Sequence, residues 1–407
     1  MDKRIRAGGT AVLPRPLKAT RNARGRQGPV EHSLSAPSRS GLALAAERLV
    51  LAILPPVLVI GLIVARYVAG KHLGFDFKPL WEASRHVVHG TSPYPPPHAW
   101  ALHDEQQFVY PPIAAVLAAP LAVFPFGVAA ALLAAIELVA TGLTLHVLNV
   151  RDWRCYGVAF LWYPVLQNLL IGSITSLLAL ALAVVWRYRD DERITTPVAA
   201  AAIAAKVFLW PLLFWLAATR RGVAAARALG LALVVVALSW ALIGFAGLTS
   251  YPRLLDQLSR LEQSKSYSVV ALGGVLGLPS GEARALAIAA GAIVLFSVIA
   301  IGHRHRNDLD ADRRAFILAI AAAFLFSPIV WTHYLALLVV PIAITRRTLS
   351  PLWFVPLAMW ATPGQSDGQT WRVLVGASVW IVVLAASWRP SWPVPGFRRR
   401  PEALPTA

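Results

Sequence analysis

The chain has 407 residues, 57% of them hydrophobic and only 14% charged, with the charges crowded into short runs between long apolar stretches. That pattern excludes a soluble protein with one apolar core. It also turns the formal charge of +18 into a positive-inside signal, not a nucleic-acid-binding surface. The single cysteine, Cys155, has no partner for an internal disulfide or a metal site.

Residues 1–46 are rich in Arg, Lys, Gly, Pro and Ser, the composition of a disordered basic tail on the cytoplasmic side. The tail is too long and polar for the start of a cleaved signal peptide, so Leu49–Val68 is expected as a retained first membrane helix. Gly127–Val150, Ala228–Gly247 and Ala283–Ile301 are also close to the ~20 apolar residues that cross a ~30 Å hydrocarbon layer. Basic runs fall at Lys3–Arg48, Arg151–Arg154, Arg187–Arg193, Arg220–Arg227, His303–Arg314, Arg346–Arg347 and Arg389–Arg400. Placing them inside leaves outside the segments 69–110, around Gly172, 248–282, around Pro328 and 362–371. A transmembrane domain over 47–390 follows, with a second cytoplasmic tail over 391–407.

This alternation closes only with short hairpins. Cys155–Arg187 is expected to go out and back, turning near Gly172–Ser173. Thr196–Thr219 holds Lys206 and Pro211 midway and reads as two short helices turning at depth, a backbone that survives only inside protein or beside a wet cavity. Pro112–Phe124 is short and is expected to run obliquely. The expected architecture is an all-α polytopic membrane protein of about 10–12 transmembrane or partly embedded helices with a long first outer loop.

In that loop, Phe77, Leu80, Trp81, Ser84, Val87 and Val88 recur at helical spacing beside Lys78, Glu82, Arg85 and His89. They predict an amphipathic helix at the outer interface, closed by Gly90. Asp76 opens it, and two roles stand: a helix cap accepting backbone N–H bonds, or a general base at the membrane surface. The other outer acidic residues are Glu82, Asp104, Glu105, Asp256, Glu262, Glu282 and Asp367. Glu82 reads as a solvated face; Glu137, inside an apolar span, is an intramembrane carboxyl of the kind that flags function, with a buried neutral or hydrogen-bonded Glu between helices the simpler expectation. Lys206, Arg253, Arg260, Lys265 and His333 are the cations available to a phosphate entering from lipid. Arg253, Arg260 and Lys265 share a stretch with Asp256, Gln257 and Glu262, where surface pairing is the simpler expectation. Lys206 is harder to explain blandly, because a charge at membrane depth costs at least ~2.5–3.5 kcal/mol. His333 lies between Trp331 and Tyr334, where belt residues are also expected. The chain carries no phosphate-binding loop, dinucleotide fingerprint or zinc spacing.

Several segments match one pattern in order and spacing. D-F-x5-A-x5-H-G-x-S-P-Y runs from Asp76 to Tyr94, and Phe108-Val-Tyr-Pro-Pro112 follows. WYPVLQNLLIG (162–172), AAIAAKVFLWPLL (201–213), SYSVVALGG (266–274) and SPIVWTHYLALLVVP (327–341) complete it. Together they resemble glycosyltransferase family 87, membrane enzymes of the GT-C class that use polyprenyl-phosphate mannose, and the resemblance covers roughly residues 50–390. It implies Asp76 as catalytic base, Lys206 and His333 as holders of the phosphate or acceptor, and Tyr110 with Pro111 and Pro112 shaping a cavity entrance. Arg253 and Lys265 are the further candidates for donor or acceptor. The implied donor is a polyprenyl-phosphate hexose, the acceptor an envelope glycolipid or glycan, and the surrounding partner membrane lipid. No metal or cofactor is implied, and no nucleic acid. One departure stands out: relatives usually carry Gly-Gln-x-Asn where this chain has Gly172-Ser173-Ile174-Thr175, which bears on sugar or acceptor preference more than on reaction class. A lipid or solute transporter and a non-catalytic envelope-assembly protein are the rival readings.

Overall fold

A computed structural model of the chain describes residues 41–70, 73–95, 107–305 and 308–389. The expected tails therefore lie outside the described residues, except for 41–46 of the first, and so do Asp104 and Glu105 of the long loop. The chain divides after Leu44, and apart from the first four residues of α1 everything discussed below belongs to the second unit. The described residues form helices and turns without a strand.

α1 (Gly41–Arg48) runs through a wide turn at Leu49–Ile53 into α2 (Leu54–Val68). The helix thus begins before Leu49, because GLALAAER is dominated by strong helix formers. The wide turn pushes the Leu51 carbonyl onto Gly157, where a Cβ would lie 1.4 Å from the oxygen. α3 (Phe77–Val88), α4 (Pro112–Ala118) and α5 (Phe126–Val147) follow. Cys155–Arg187 is not a single hairpin but three helices: α6 (Trp153–Phe160), α7 (Tyr163–Ile171) and α8 (Thr175–Arg187). Trp162 and Pro164 explain the extra break, since a residue preceding a Tyr-Pro pair starts a new helix with proline in its first turn. α9 (Glu192–Ala205) stops at Lys206, whose backbone is extended at φ −148°, ψ 97°. A tight turn at Val207–Leu209 leads to α10 (Leu212–Ala218), so the expected pair of short helices is present and starts one turn earlier than expected. The remainder is α11 (Gly222–Leu242), α12 (Tyr251–Glu262), α13 (Val269–Val275), α14 (Ser280–Arg304), α15 (Leu309–Phe326), α16 (Val339–Thr345) and α17 (Thr370–Trp388).

Among the described residues, five helices are long and apolar enough to cross a membrane: Ala45–Val68, α5, α11, α14 and α17. The pair α7–α8 is apolar enough to be a sixth but is bent by 118°, and four shorter apolar pieces accompany it. Large apolar side chains point outward along α2, α11 and α14, among them Leu58, Leu233 and Phe296, as hydrocarbon solvation requires. Inside, small residues let helices approach closely: Ala199 and Ala200 of α9 are buried in the same core as Ala225 and Ala228 of α11. Trp162, Trp215 and Trp353 are fully buried, and each indole N–H is satisfied: Trp162 by the Trp353 carbonyl, Trp215 by Asp312 and Trp353 by the Arg346 carbonyl.

The expected cytoplasmic segments gather at one end. Asp312 at the start of α15 accepts from Arg189 at 2.8 Å and from both terminal nitrogens of Arg221 at 3.0 Å. One buried carboxylate thereby ties together three of the basic runs. Asp152 accepts from Arg154 and from the Leu349 amide, which joins the first internal basic run to the segment after Arg346–Arg347. Thirteen-residue α8 separates this basic end from the Gly172 turn, about 20 Å at 1.5 Å per residue.

Candidate active site

α3 is amphipathic as expected, with Phe77, Leu80, Ala83, Ser84 and Val87 buried and Lys78, Glu82, Arg85 and His89 exposed. Val88 is 64% exposed. It lies outside the apolar stripe, and Ala83 takes the inner position at helical spacing. Gly90 ends the segment at φ +69°, a conformation that glycine adopts without strain.

Asp76 is not a cap. Its backbone is already helical at φ −75°, ψ −22°, and its side chain accepts no hydrogen bond from the first turn. What holds it is the backbone before it. The Gly74 amide donates to Leu170 O and the Asp76 amide to Ile171 O, both at 2.8 Å, so the chain here is pinned to the C-terminal end of α7. Gly172 makes this approach possible. It sits at φ +71°, and a Cβ there would come within 2.8 Å of Phe77 Cβ and 3.3 Å of Gly74 Cα.

The Asp76 side chain, 29% accessible, faces a cavity of about 130 Å³. Phe75, Pro79, Gln107, Val109, Tyr110, Gln167, Ile171, Leu258, Glu262, Trp331, Thr332, His333, Gly364 and Gln365 complete the lining. Each of the five segments expected outside the membrane contributes to it. His333 Nε2 lies 3.8 Å from Asp76 Oδ2, too far for a direct hydrogen bond and suited to a bridging group. Burial pushes the Asp76 carboxyl up from 3.8 to about 6, with Lys206 pulling it down and Glu262 adding to the rise. The carboxyl is therefore a usable base near neutral pH.

Tyr110 is held by two other tyrosines. Tyr94 donates its hydroxyl to Tyr110 O at 2.6 Å, and Tyr251 donates to Val109 O at 2.9 Å. Tyr94, the last residue of the S-P-Y motif, also stacks on Trp240 at 4.9 Å. Lys206 is 8% exposed and does not line the cavity. Its Nζ lies 3.8 Å above the Tyr334 ring and 5.5 Å from that of Tyr110, with no hydrogen-bond acceptor. Two aromatic faces thus hold the cation behind the cavity wall, each such contact being worth ~0.5–2 kcal/mol.

Besides Lys206, two further candidates are not brought into the cavity. Arg253 is on the exposed face of α12. Lys265 stands one residue removed: its Nζ pairs with Glu262 Oε1 at 3.2 Å. Glu262 corrects the expectation of surface pairing, for it is 4% exposed, accepts from Trp331 Nε1 at 3.3 Å and faces the cavity. Arg260 does pair at the surface, with Asp256 at 2.8 Å.

Three glutamines, Gln107, Gln167 and Gln365, reach the cavity and were not singled out by sequence. Glutamine carries no periodic or charge signal, and these three are far apart in the chain. The Ser173 and Thr175 hydroxyls that stand in the Gly-Ser-Ile-Thr departure contact each other at 3.1 Å. Glu137 is fully buried as expected. Its Oε2 accepts from Asn168 Nδ2 and, at 3.1 Å, from the Ser176 amide. Among the described residues, no cluster of three or more His, Cys, Asp or Glu is placed to hold a metal ion.

Residues 108–328 match the family described as glycosyltransferase family 87, which is more than half of the chain. No curated protein and no solved structure matches it.

Proposed function

The chain belongs to glycosyltransferase family 87 and is a membrane glycosyltransferase, and on that premise we propose that it moves a hexose, mannose by family likeness, from a polyprenyl-phosphate donor to an envelope glycolipid or glycan. Asp76 carries the reading. Of the two carboxyls that line the cavity, Glu262 is engaged by Lys265 and Trp331, whereas Asp76 serves no helix cap and has its amide fixed by α7.

In the proposed step, the Asp76 carboxylate takes the proton of an acceptor hydroxyl as that oxygen attacks the anomeric carbon. The new C–O bond forms as the bond from the anomeric carbon to the phosphate oxygen breaks. The electron pair leaves with polyprenyl phosphate, which gains one negative charge. A single displacement inverts the anomeric centre, so a β-linked donor gives an α-linked product. His333, 3.8 Å from Asp76, is suited to orient the acceptor or the phosphate. Lys206 contributes its positive field from behind Tyr110 and Tyr334, the kind of fixed electrostatic stabilisation that is strongest where water is excluded. The glutamine amides and Glu262 suit a ligand rich in hydroxyls. No resident cofactor takes part in this scheme; the lipid-linked sugar is a substrate. The cavity is assigned to the outer side, opposite the basic end.

The test is transfer by the purified full-length protein in lipid vesicles, supplied with radiolabelled polyprenyl-phosphate mannose and envelope glycolipids. Asp76→Asn is expected to insert normally and to lose transfer. Near-normal turnover by that variant sinks the base assignment. Lipid movement without transfer would favour a transporter, and neither activity would favour a non-catalytic assembly protein.

A further inference from the structure

Glu137 touches neither the cavity nor the lipid, yet it is a fully buried carboxyl in the middle of α5. Such a group persists in a membrane segment only when it does something that an apolar residue cannot do. Its contacts lie on the two sides of one break. Oε2 accepts from Asn168 Nδ2, in the last turn and a half of α7, and from the Ser176 backbone amide, in the first turn of α8. Asn168 Nδ2 also reaches Ser176 Oγ at 2.9 Å, and Thr141 Oγ1, one turn along α5, donates to the same Ser176 Oγ at 3.0 Å. Between Asn168 and Ser176 lies the Gly172–Ser173 turn, whose two amides both donate to the Asn168 carbonyl, at 3.0 and 3.2 Å. Immediately before it are Leu170 O and Ile171 O, the two acceptors that hold Gly74 and Asp76.

We infer that Glu137 is a positioning residue: its carboxyl group clamps the α7–α8 break, and the clamped break holds the Asp76 backbone in register with the cavity. The chain of contacts runs from Glu137 to Asn168 and Ser176, through the Gly172 turn, to the Asp76 amide. An apolar residue at 137 would leave the Ser176 amide, an orphan helix-start donor, unsatisfied in a buried site. The break would then relax, and a displacement near 1 Å at the base is enough to cost about a hundredfold in rate. Glutamine is predicted to substitute well. Both bonds fall on the single oxygen Oε2, and Oε1 has no partner, so an amide nitrogen in its place displaces no bond.

The test pairs a reaction readout with one that does not need the reaction. Wild type, Glu137→Ala, Glu137→Gln and Asn168→Ala are prepared as full-length protein in nanodiscs, and hydrogen exchange is followed at the Gly74 and Asp76 amides. Glu137→Ala is expected to speed exchange there by on the order of tenfold or more, Asn168→Ala by less, and Glu137→Gln by little. Transfer kinetics, which rest on the proposed function, are expected to show kcat falling ten- to a hundredfold in Glu137→Ala. The KM for the lipid donor should stay unchanged, with kcat largely restored in Glu137→Gln. Wild-type protection of Gly74 and Asp76 in both alanine variants overturns the inference, and so does a Glu137→Gln protein as impaired as Glu137→Ala. Altered exchange in a protein whose wild type transfers no sugar leaves the clamp standing and removes the proposed reaction. Asn168→Ala, which keeps the buried carboxyl and its bond to Ser176, serves if Glu137→Ala does not fold.

Discussion

At the scale of single residues, the cavity keeps a carboxyl where the fold would prefer none. Burial is the largest influence on Asp76 and raises it to about 6, while Lys206, fixed over the Tyr334 ring, limits the rise. The folded protein therefore holds the Asp76 proton more tightly than the unfolded chain does, and the sign of its linkage follows. Stability from this group is fully present below about pH 4 and is lost as pH rises through about 6. Activity runs the other way, since a base works only when ionised. We expect kcat/KM to climb with pH through about 6 and then level, and Asp76→Asn to raise the melting stability by on the order of 1–3 kcal/mol as it loses transfer. A pH–rate profile flat through that range, or a destabilised Asp76→Asn, would contradict the assignment. Lys206 was legible in the sequence because a lone charge in an apolar stretch has no bland explanation. Glu262 was not: in a stretch with Arg253, Arg260 and Lys265, an acidic residue looks solvated, and only the packing of Trp331 against it shows that it is buried.

At the scale of elements, the site depends on two helix breaks more than on any intact helix. One is at Lys206, where α9 gives way to the Val207–Leu209 turn, and the other is at Gly172, between α7 and α8. Both were readable, the first from a lysine and a proline inside an apolar run and the second from a Gly-Ser pair. Their consequence was not, because the partner of the Gly172 turn is Gly74, about a hundred residues earlier in the chain, and no local pattern reports that pairing. The α6–α7 division was missed because the length of Cys155–Arg187 fits a hairpin, and the Tyr163–Pro164 break was not read as a helix start. Gly172→Ala tests the break directly. A left-handed alanine costs about 1–2 kcal/mol in backbone strain, and its Cβ would meet Phe77 Cβ at 2.8 Å. The methyl therefore pushes on the segment that carries Asp76. The expected result is a modest fall in melting temperature and a fall in kcat of more than tenfold, larger than the stability loss alone produces. Equal losses in amount of folded protein and in rate would mean that the turn is merely structural.

At the scale of the whole molecule, polar chemistry is divided between two ends. Basic runs close around Asp312 at one end, and five separated segments converge on Asp76 at the other. The positive-inside pattern, read without any structure, assigned those two sets of segments to opposite sides, and their separation in space agrees with that reading. Which end faces the cytoplasm is then a single choice, and on the Lys/Arg excess we propose the Asp312 end. α14 provides the test. Its 25 residues span about 37 Å. It starts just after α13, whose leading residues Tyr267 and Ser268 bond to Val330 and Pro328 on the approach to the cavity wall. It ends with Gly302 packed on Ala218, beside the Arg221–Asp312 cluster. Leu276, 63% exposed before α14, and Leu309, 72% exposed after it, therefore report on opposite ends. In intact cells a membrane-impermeant maleimide is expected to label Leu276→Cys at once and Leu309→Cys only after permeabilisation. The native Cys155 does not compete, because it is fully buried. Labelling in the reverse order would put the cavity on the cytoplasmic side. The donor would then have to be a sugar carrier of the inner leaflet, and the assignment to an outer-face envelope acceptor would fall with it.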